Sequence, residues 1–144
     1  MKILFCDDDP KILQQLQKYV AEFFADNHFL VGISVDGTSK TYDAFRLDPN
    51  GWDSFSTVMK NIRILERYHV DFNILTVVHA YTAKQIRDIY RFYKAKRFQY
   101  LQFIPCLDPM EEEPGKLVYS LTPKAYGEFY ANYLICGMSR ICSF

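Results

Sequence analysis

The sequence predicts an α/β fold in the order βαβαβαβα with a mainly parallel sheet. Three observations carry that prediction. The runs FLVGISVDG, VDFNILTVV and YLQFIPCLDP are apolar and β-rich, and each ends in, or is followed at once by, a polar or turn-forming residue. Two segments with helical periodicity separate them. Parallel strands need such crossovers, because a tight turn cannot return the chain to the same end of the sheet. At 144 residues the chain is most simply one domain with room for a core. Its elements make at most half of an eight-stranded barrel, or a small open sheet.

The chain opens with MKILFCDDDP. Ile3 to Phe5 reads as a short strand with Asp7, Asp8 and Asp9 at its carboxyl end. Pro10 suits the first turn of a helix, and Asp9 is placed to cap it. That helix is expected from Pro10 to about Ala25, with Ile12, Leu13, Leu16, Tyr19, Val20 and Phe23 on one apolar face. Asp26-Asn27 closes it, and His28 falls at the boundary.

The second strand is Phe29 to Val35, turned by Asp36-Gly37. A loop follows with Tyr42, Asp43, Arg46 and Asp48, and Pro49-Asn50-Gly51 marks a turn. A helix from about Asp53 to Tyr68 buries Phe55, Val58, Met59, Ile62 and Leu65. The third strand, Asp71 to Val78, is apolar on both faces except for Asn73. That side chain either bonds backbone within the core or points into a ligand cavity. Thr82 is the expected cap of the next helix, which runs to about Arg97, and Gln99 to Ile104 is the fourth strand. A loop carries the acidic run Glu111, Glu112 and Glu113. Thr122-Pro123 opens a last helix with Tyr126, Phe129, Tyr130 and Tyr133. The tail CGMSRICSF holds Cys136 and Cys142.

Composition narrows the function. Lys plus Arg and Asp plus Glu both number 17, so no bulk field draws the chain to nucleic acid or an anionic membrane. The many Tyr and Phe have no basic patch among them to make a base-stacking platform. No apolar run reaches the roughly 20 residues that span a bilayer, and the start does not read as a signal peptide. A cytoplasmic protein is expected, with its cysteines as thiols or metal ligands. In parallel α/β sheets ligands gather at the carboxyl ends of strands. Here those ends carry Ser34, Asp36 and Gly37, then Val78 and His79, then Pro105, Cys106, Leu107 and Asp108.

Two resemblances add to this reading. Residues 1–20, through KILQQLQKYV, resemble the opening of response-regulator receiver domains. That resemblance implies Mg²⁺ on Asp7 and Asp8, since hard cations want several carboxylate oxygens. The phosphoacceptor Asp and the later Lys of a receiver are not found in fitting context, so helix capping is the expected role. Residues from about 21 to 133 resemble an internal piece of an anaerobic sulfatase-maturating enzyme. FLVGISVDG, the Asp43-to-Arg46 loop, FNILTVV, YLQFIPCLDP and YSLTPKAYGEF occur in that family's order and spacing. The expected organisation is a receiver-like start over 1–20, a partial radical S-adenosylmethionine barrel over 21–134 and a cysteine-containing tail over 135–144.

The second resemblance implies oxidation of a peptidyl Cys or Ser, on a sulfatase or another peptide, to Cα-formylglycine. Ser34 and Arg46 match positions that contact S-adenosylmethionine. Leu107 matches one whose backbone meets the adenine. Asp36 and Asn73 are lesser candidates beside the same pocket. Cys136 and Cys142 match the start of a region holding auxiliary iron–sulfur clusters, or are two free cysteines. The family's C-x3-C-x2-C, which ligates the radical-generating [4Fe–4S] cluster, is absent, as is its GGEP-type segment. The chain is therefore expected to be inactive alone, as a truncated or chimeric piece. Two alternatives stand beside this reading: a Mg²⁺-binding regulatory module built on Asp7–Asp9, and a folded remnant without activity. Half barrels leave edges open, so self-association along a strand edge is also expected.

Overall fold

A computed structural model describes residues 10–47, 51–111 and 113–138. The expected strand at residues 3–5 and the acidic run Asp7–Asp9 lie outside the described residues, as do Asp48 and Cys142. Within them the order is α1 (Pro10–Asp26), β1 (Leu30–Ser34), α2 (Ser39–Tyr42), α3 (Phe55–Arg67), β2 (Asp71–Val78), α4 (Ala80–Ala83), α5 (Ile86–Ala95), β3 (Leu101–Pro105) and α6 (Pro123–Met138). The strands form one sheet in the order β1-β2-β3, and both pairings are parallel. This is the α/β class that the sequence predicts.

The three helix-to-strand junctions share one device. His28, His69 and Arg97 have φ of 54°, 55° and 59°, the left-handed region. Each sits just past a helix. The next residue then bonds back five positions: Phe29 N–H to Phe24 O, Val70 N–H to Leu65 O and Phe98 N–H to Tyr93 O. That is the Schellman pattern, which satisfies terminal carbonyls and turns the chain sharply. It turns the chain from α1, α3 and α5 into the strands that follow them.

The main core lies between the sheet and its helices. Val35, Tyr42, Met59, Ile62, Ile74, Ile89 and Tyr93 are buried together, with Phe72, Leu101 and Phe103 packed against them. A second cluster of Val78, Ala83, Ile86 and Phe129 fastens α6 beside β3, where Phe103 meets Phe129 at 5.0 Å and Tyr133 at 4.9 Å. The predicted stripe of α1 is only partly used, since Tyr19 and Phe23 are 65% and 55% exposed. They lie beyond the reach of the sheet, and α1 touches mainly α3.

β2 reads as apolar on both faces apart from Asn73, but helices cover only one of them. Ile74, Thr76 and Val78 are buried under helices, while Asn73, Leu75 and Val77 on the other face are only half-buried. Gly32, Gln102 and Ile104, which share that second face, are exposed. Among the described residues all helical packing falls on one side. The other side is open.

Other differences are local. The helix expected over Thr82 to Arg97 is two helices, broken at Lys84-Gln85. Its cap is His79 rather than Thr82: His79 Nδ1 accepts from the Tyr81 and Thr82 N–H groups at 3.3 and 3.4 Å. The Thr82 hydroxyl is instead 2.8 Å from His79 Nε2. The last helix continues through Met138, so Cys136 is helical and half-buried.

Candidate functional site

The carboxyl end of β1 is fixed by buried hydroxyls. Thr76 Oγ1 donates to Val35 O at 2.9 Å, and Tyr93 Oη donates to the same carbonyl at 2.6 Å. Tyr93 Oη also accepts the Gly37 N–H at 2.9 Å. Burial holds the Tyr93 phenol well above its ordinary pKa, so it stays protonated and donating. Gly37 is required here. Its φ is +91°, and a Cβ would stand 2.6 Å from both Ile89 Cγ1 and Thr41 Oγ1.

This frame presents Asp36. Its Oδ1 accepts the Val77 N–H at 2.7 Å, taking the place of a backbone partner where β1 ends. Its Oδ2 accepts from Arg46 Nε at 2.5 Å. The Asp36 side chain is 4% exposed and that of Arg46 33%, so the pair runs from the interior to the surface of the rim. The loop carrying Arg46 is pinned in turn. Asp43 Oδ1 accepts the N–H groups of Ser54 and Phe55 at 3.1 and 3.0 Å, at the start of α3. Ser54 Oγ donates to Arg46 O at 3.0 Å. Arg46 also lies over the Tyr42 ring, 5.9 Å from its centroid.

His79 completes the centre of the rim. It is 4% exposed, and its ring is 4.1 Å from that of Phe45, the neighbour of Arg46 in the chain. Burial lowers its pKa; Asp36 opposes that effect and Arg46 adds to it. A neutral ring with Nδ1 accepting from backbone carries its proton on Nε2, facing the Thr82 hydroxyl.

Beyond β3 the chain is tied back by the Cys106 N–H, which donates to Val78 O at 2.8 Å. Leu107 is 81% exposed beside this link. Asp108 organises the loop that follows. Its oxygens accept the Gly115 N–H and the Ser120 hydroxyl, both at 2.7 Å, and these bonds hold its pKa below the usual carboxylate range. Burial, then Asp108 and Asp36, push the Cys106 thiol up, so it does not supply a ready thiolate.

The structure thus brings Ser34, Asp36 and Arg46 to one strand end, with Leu107 past the end of β3. Asn73 stands further down the open face, with Nδ2 3.5 Å from Gln102 Oε1. Asp7, Asp8 and Cys142 fall outside the described residues. Among the described residues no group of three His, Cys, Asp or Glu could hold a metal ion. None of their helices is long and apolar enough to cross a membrane. Sequence reasoning named His79 only as a strand end and missed its capping role. It puts Asp43 in a loop and Asp108 past a strand end, with no sign of their anchoring bonds. The signal for Asp43 is an aspartate followed at a distance by Ser54-Phe55 opening a helix, which is too diffuse to read unaided.

No protein-family model matches the chain. It is 52% identical over 109 residues to the cysteine-type anaerobic sulfatase-maturating enzyme of Clostridium novyi, which covers 76% of this chain and 29% of that enzyme. It is 32% identical over 122 residues to the serine-type enzyme of Bacteroides thetaiotaomicron, covering 75% and 30%. Among solved structures, native anSMEcpe with bound AdoMet and Kp18Cys peptide superposes with a TM-score of 0.79 at 43% identity. That match covers 82% of this chain and 33% of the other. The chain therefore spans about a third of the length of the proteins it resembles.

Proposed function

We propose that this chain forms the S-adenosylmethionine-binding part of a radical enzyme of the sulfatase-maturating type. The observation that carries the reading is the Asp36–Arg46 pair at the carboxyl end of β1, in a region 52% identical to such an enzyme. A guanidinium has five N–H donors. Fixing Nε on Asp36 orients the planar fork, and its outer edge suits a ligand carboxylate. Ser34, two residues before Asp36, offers a hydroxyl to the ligand's polar groups, and Leu107 is assigned the backbone contact to adenine. Asp36 acts here as a positioning residue. These residues fit S-adenosylmethionine: a cationic fork, a hydroxyl and an exposed backbone segment match its carboxylate, amine and purine.

When bound, S-adenosylmethionine supplies a 5′-deoxyadenosyl group for radical chemistry once an iron–sulfur cluster reduces it. The thiols of these 144 residues do not fit that cluster. Cys6, Cys106, Cys136 and Cys142 are the four cysteines, and none stands in C-x3-C-x2-C spacing. Cys136 and Cys142 alone cannot complete a four-thiolate site. The whole reaction, oxidation of a peptidyl Cys or Ser to Cα-formylglycine, is thus assigned to an assembly that includes such a cluster, with these residues holding the cofactor. The same reading leaves a cytoplasmic protein acting on a peptide. Two measurements test it. Anaerobic reconstitution of these residues with iron and sulfide should give no stoichiometric cluster and no 5′-deoxyadenosine. Calorimetric titration with S-adenosylmethionine should show binding that Ser34→Ala and Arg46→Ala weaken.

A further inference from the structure

A cavity of about 500 Å³ opens between α5, the turn that follows it, the start of β3 and α6. Leu101, which lines it, and Pro105 at the rim are the two ends of β3. At about 3.3 Å per residue, roughly 13 Å of strand separates this cavity from the cofactor rim. Its walls are aromatic. Tyr90 of α5 and Tyr133 of α6 meet edge to face, with ring centroids 5.9 Å apart and 75° between their planes. Phe98 packs beside them on the buried Tyr93 ring at 5.8 Å. Burial, then Tyr90 and Tyr130, hold the Tyr133 phenol above its ordinary pKa, so it stays protonated and able to donate.

The mouth of the cavity is cationic. The exposed Lys94 and Arg97 line it, and among the described residues no carboxylate does. Neither cation is in an ion pair among those residues. Lys96, between them in the chain, lies over the Phe92 ring at 5.9 Å instead. A second cleft of about 470 Å³, nearer the start of α5, is different: Asp88 and Glu128 stand among its cations, and Arg91 there is bonded to Asp88 at 2.9 Å. Acidic and basic residues balance over the whole chain, yet this one cavity sets an aromatic slot under two positive charges. Its size suits a small-molecule ligand. An aromatic wall accepts any planar ring, and the two cations call for an anionic group attached to it.

We infer that this cavity binds a small aromatic anion, its ring against Tyr90, Tyr133 and Phe98 and its phosphate or carboxylate on Lys94 and Arg97. Two cations do not make a tract that follows a nucleic-acid backbone, so the occupant is a single small molecule rather than a strand. A planar ring joined to an anion describes both a nucleotide and an aromatic carboxylate, and competition separates the two.

The probe is 1-naphthyl phosphate, followed by fluorescence anisotropy as the full chain is titrated in, with and without S-adenosylmethionine. Saturable binding is expected under both conditions. Lys94→Gln and Arg97→Gly should each weaken it about tenfold, the loss of one hydrogen bond to a charged group. Arg97 has φ of 59°, where glycine is unstrained, so Arg97→Gly removes the charge and leaves the turn intact. Tyr133→Leu should weaken binding about tenfold through lost stacking. Lys84→Gln, in the second cleft, should leave it unchanged. Displacement by uridine 5′-monophosphate assigns the site to nucleotides, and displacement by phenylacetate alone assigns it to aromatic carboxylates; either supports the inference. No saturable binding by a chain that circular dichroism shows to be folded overturns it. So does parent-like affinity in both Lys94→Gln and Arg97→Gly, which would leave these cations only the role of offsetting the α5 dipole. A loss in Lys84→Gln as large as that in Lys94→Gln, or displacement of the probe by S-adenosylmethionine, would place the probe elsewhere and overturn the inference as well.

Discussion

Asp36 and Arg46, ten residues apart in the chain, meet at 2.5 Å through Oδ2 and Nε, while the other carboxylate oxygen holds the Val77 N–H at 2.7 Å. One buried carboxylate therefore does two jobs. It closes the last β1–β2 pairing, and it aims a partly exposed cation across the strand ends. Asp36→Ala leaves a buried N–H and a partly buried guanidinium without their partner. Such losses cost about 3 kcal/mol. The urea midpoint should fall accordingly, and Asp36→Asn, which keeps an acceptor, should fall by less.

The turn at Gly37 is equally constrained. Gly37→Ala must take a φ of +91° and set a Cβ 2.6 Å from Ile89 Cγ1 and Thr41 Oγ1. Overpacking and backbone strain together should cost about 3 kcal/mol. Tyr93→Phe keeps the ring but leaves the Gly37 N–H without its 2.9 Å acceptor. It should cost about 1–3 kcal/mol. Both effects are read from denaturant curves at neutral pH.

His79 makes stability depend on pH. Burial, the largest cause, and then Arg46 hold its folded pKa below the ordinary imidazole value of 6.5, against the pull of Asp36. At low pH the unfolded chain binds a proton that the folded chain resists. The His79 contribution to stability is thus complete above about pH 6.5 and is lost as pH falls below it. Protonation also removes the Nδ1 acceptor that caps α4. His79→Asn, which retains a capping group, should flatten the slope of stability between pH 5 and 7 as followed by urea midpoints. An unchanged slope would remove His79 from this role.

Three helix ends carry a non-glycine residue at positive φ, where glycine is normally favoured. His69 is exposed, with φ of 55°, between α3 and β2. His69→Gly should raise stability by about 1 kcal/mol, because the left-handed conformation penalises a Cβ. A rise in thermal midpoint tests it.

Much of this architecture is legible in the residues. Apolar β-rich runs located all three described strands to within two residues, and helical periodicity located α1, α3 and α6. Parallel pairing followed from the crossovers. The four-residue helix Ser39–Tyr42 is too short to show a period, and nothing at Lys84-Gln85 signals a break. The break follows from His79 capping a separate short turn, a tertiary arrangement with Phe45 and Arg46 around it. β2 reads as apolar on both faces, and apolar composition does not say which neighbours cover each face. That Ser34, Asp36 and Leu107 fall at or just past strand ends is legible in the apolar runs. The bond that makes Asp36 the support of Arg46 spans a loop and leaves no spacing signature.

The central claim is that these strand ends hold S-adenosylmethionine through a fork that Asp36 orients. Isothermal titration of the reduced chain with S-adenosylmethionine, beside Arg46→Ala, Ser34→Ala and Asp36→Asn, tests it most directly. The account predicts saturable binding to the parent chain, weakened about tenfold or more by Arg46→Ala, since hydrogen bonds to charged groups contribute about 1.5–3 kcal/mol. Ser34→Ala and Asp36→Asn should weaken it less. No heat of binding from a chain shown to be folded, or equal affinity in Arg46→Ala, would contradict it.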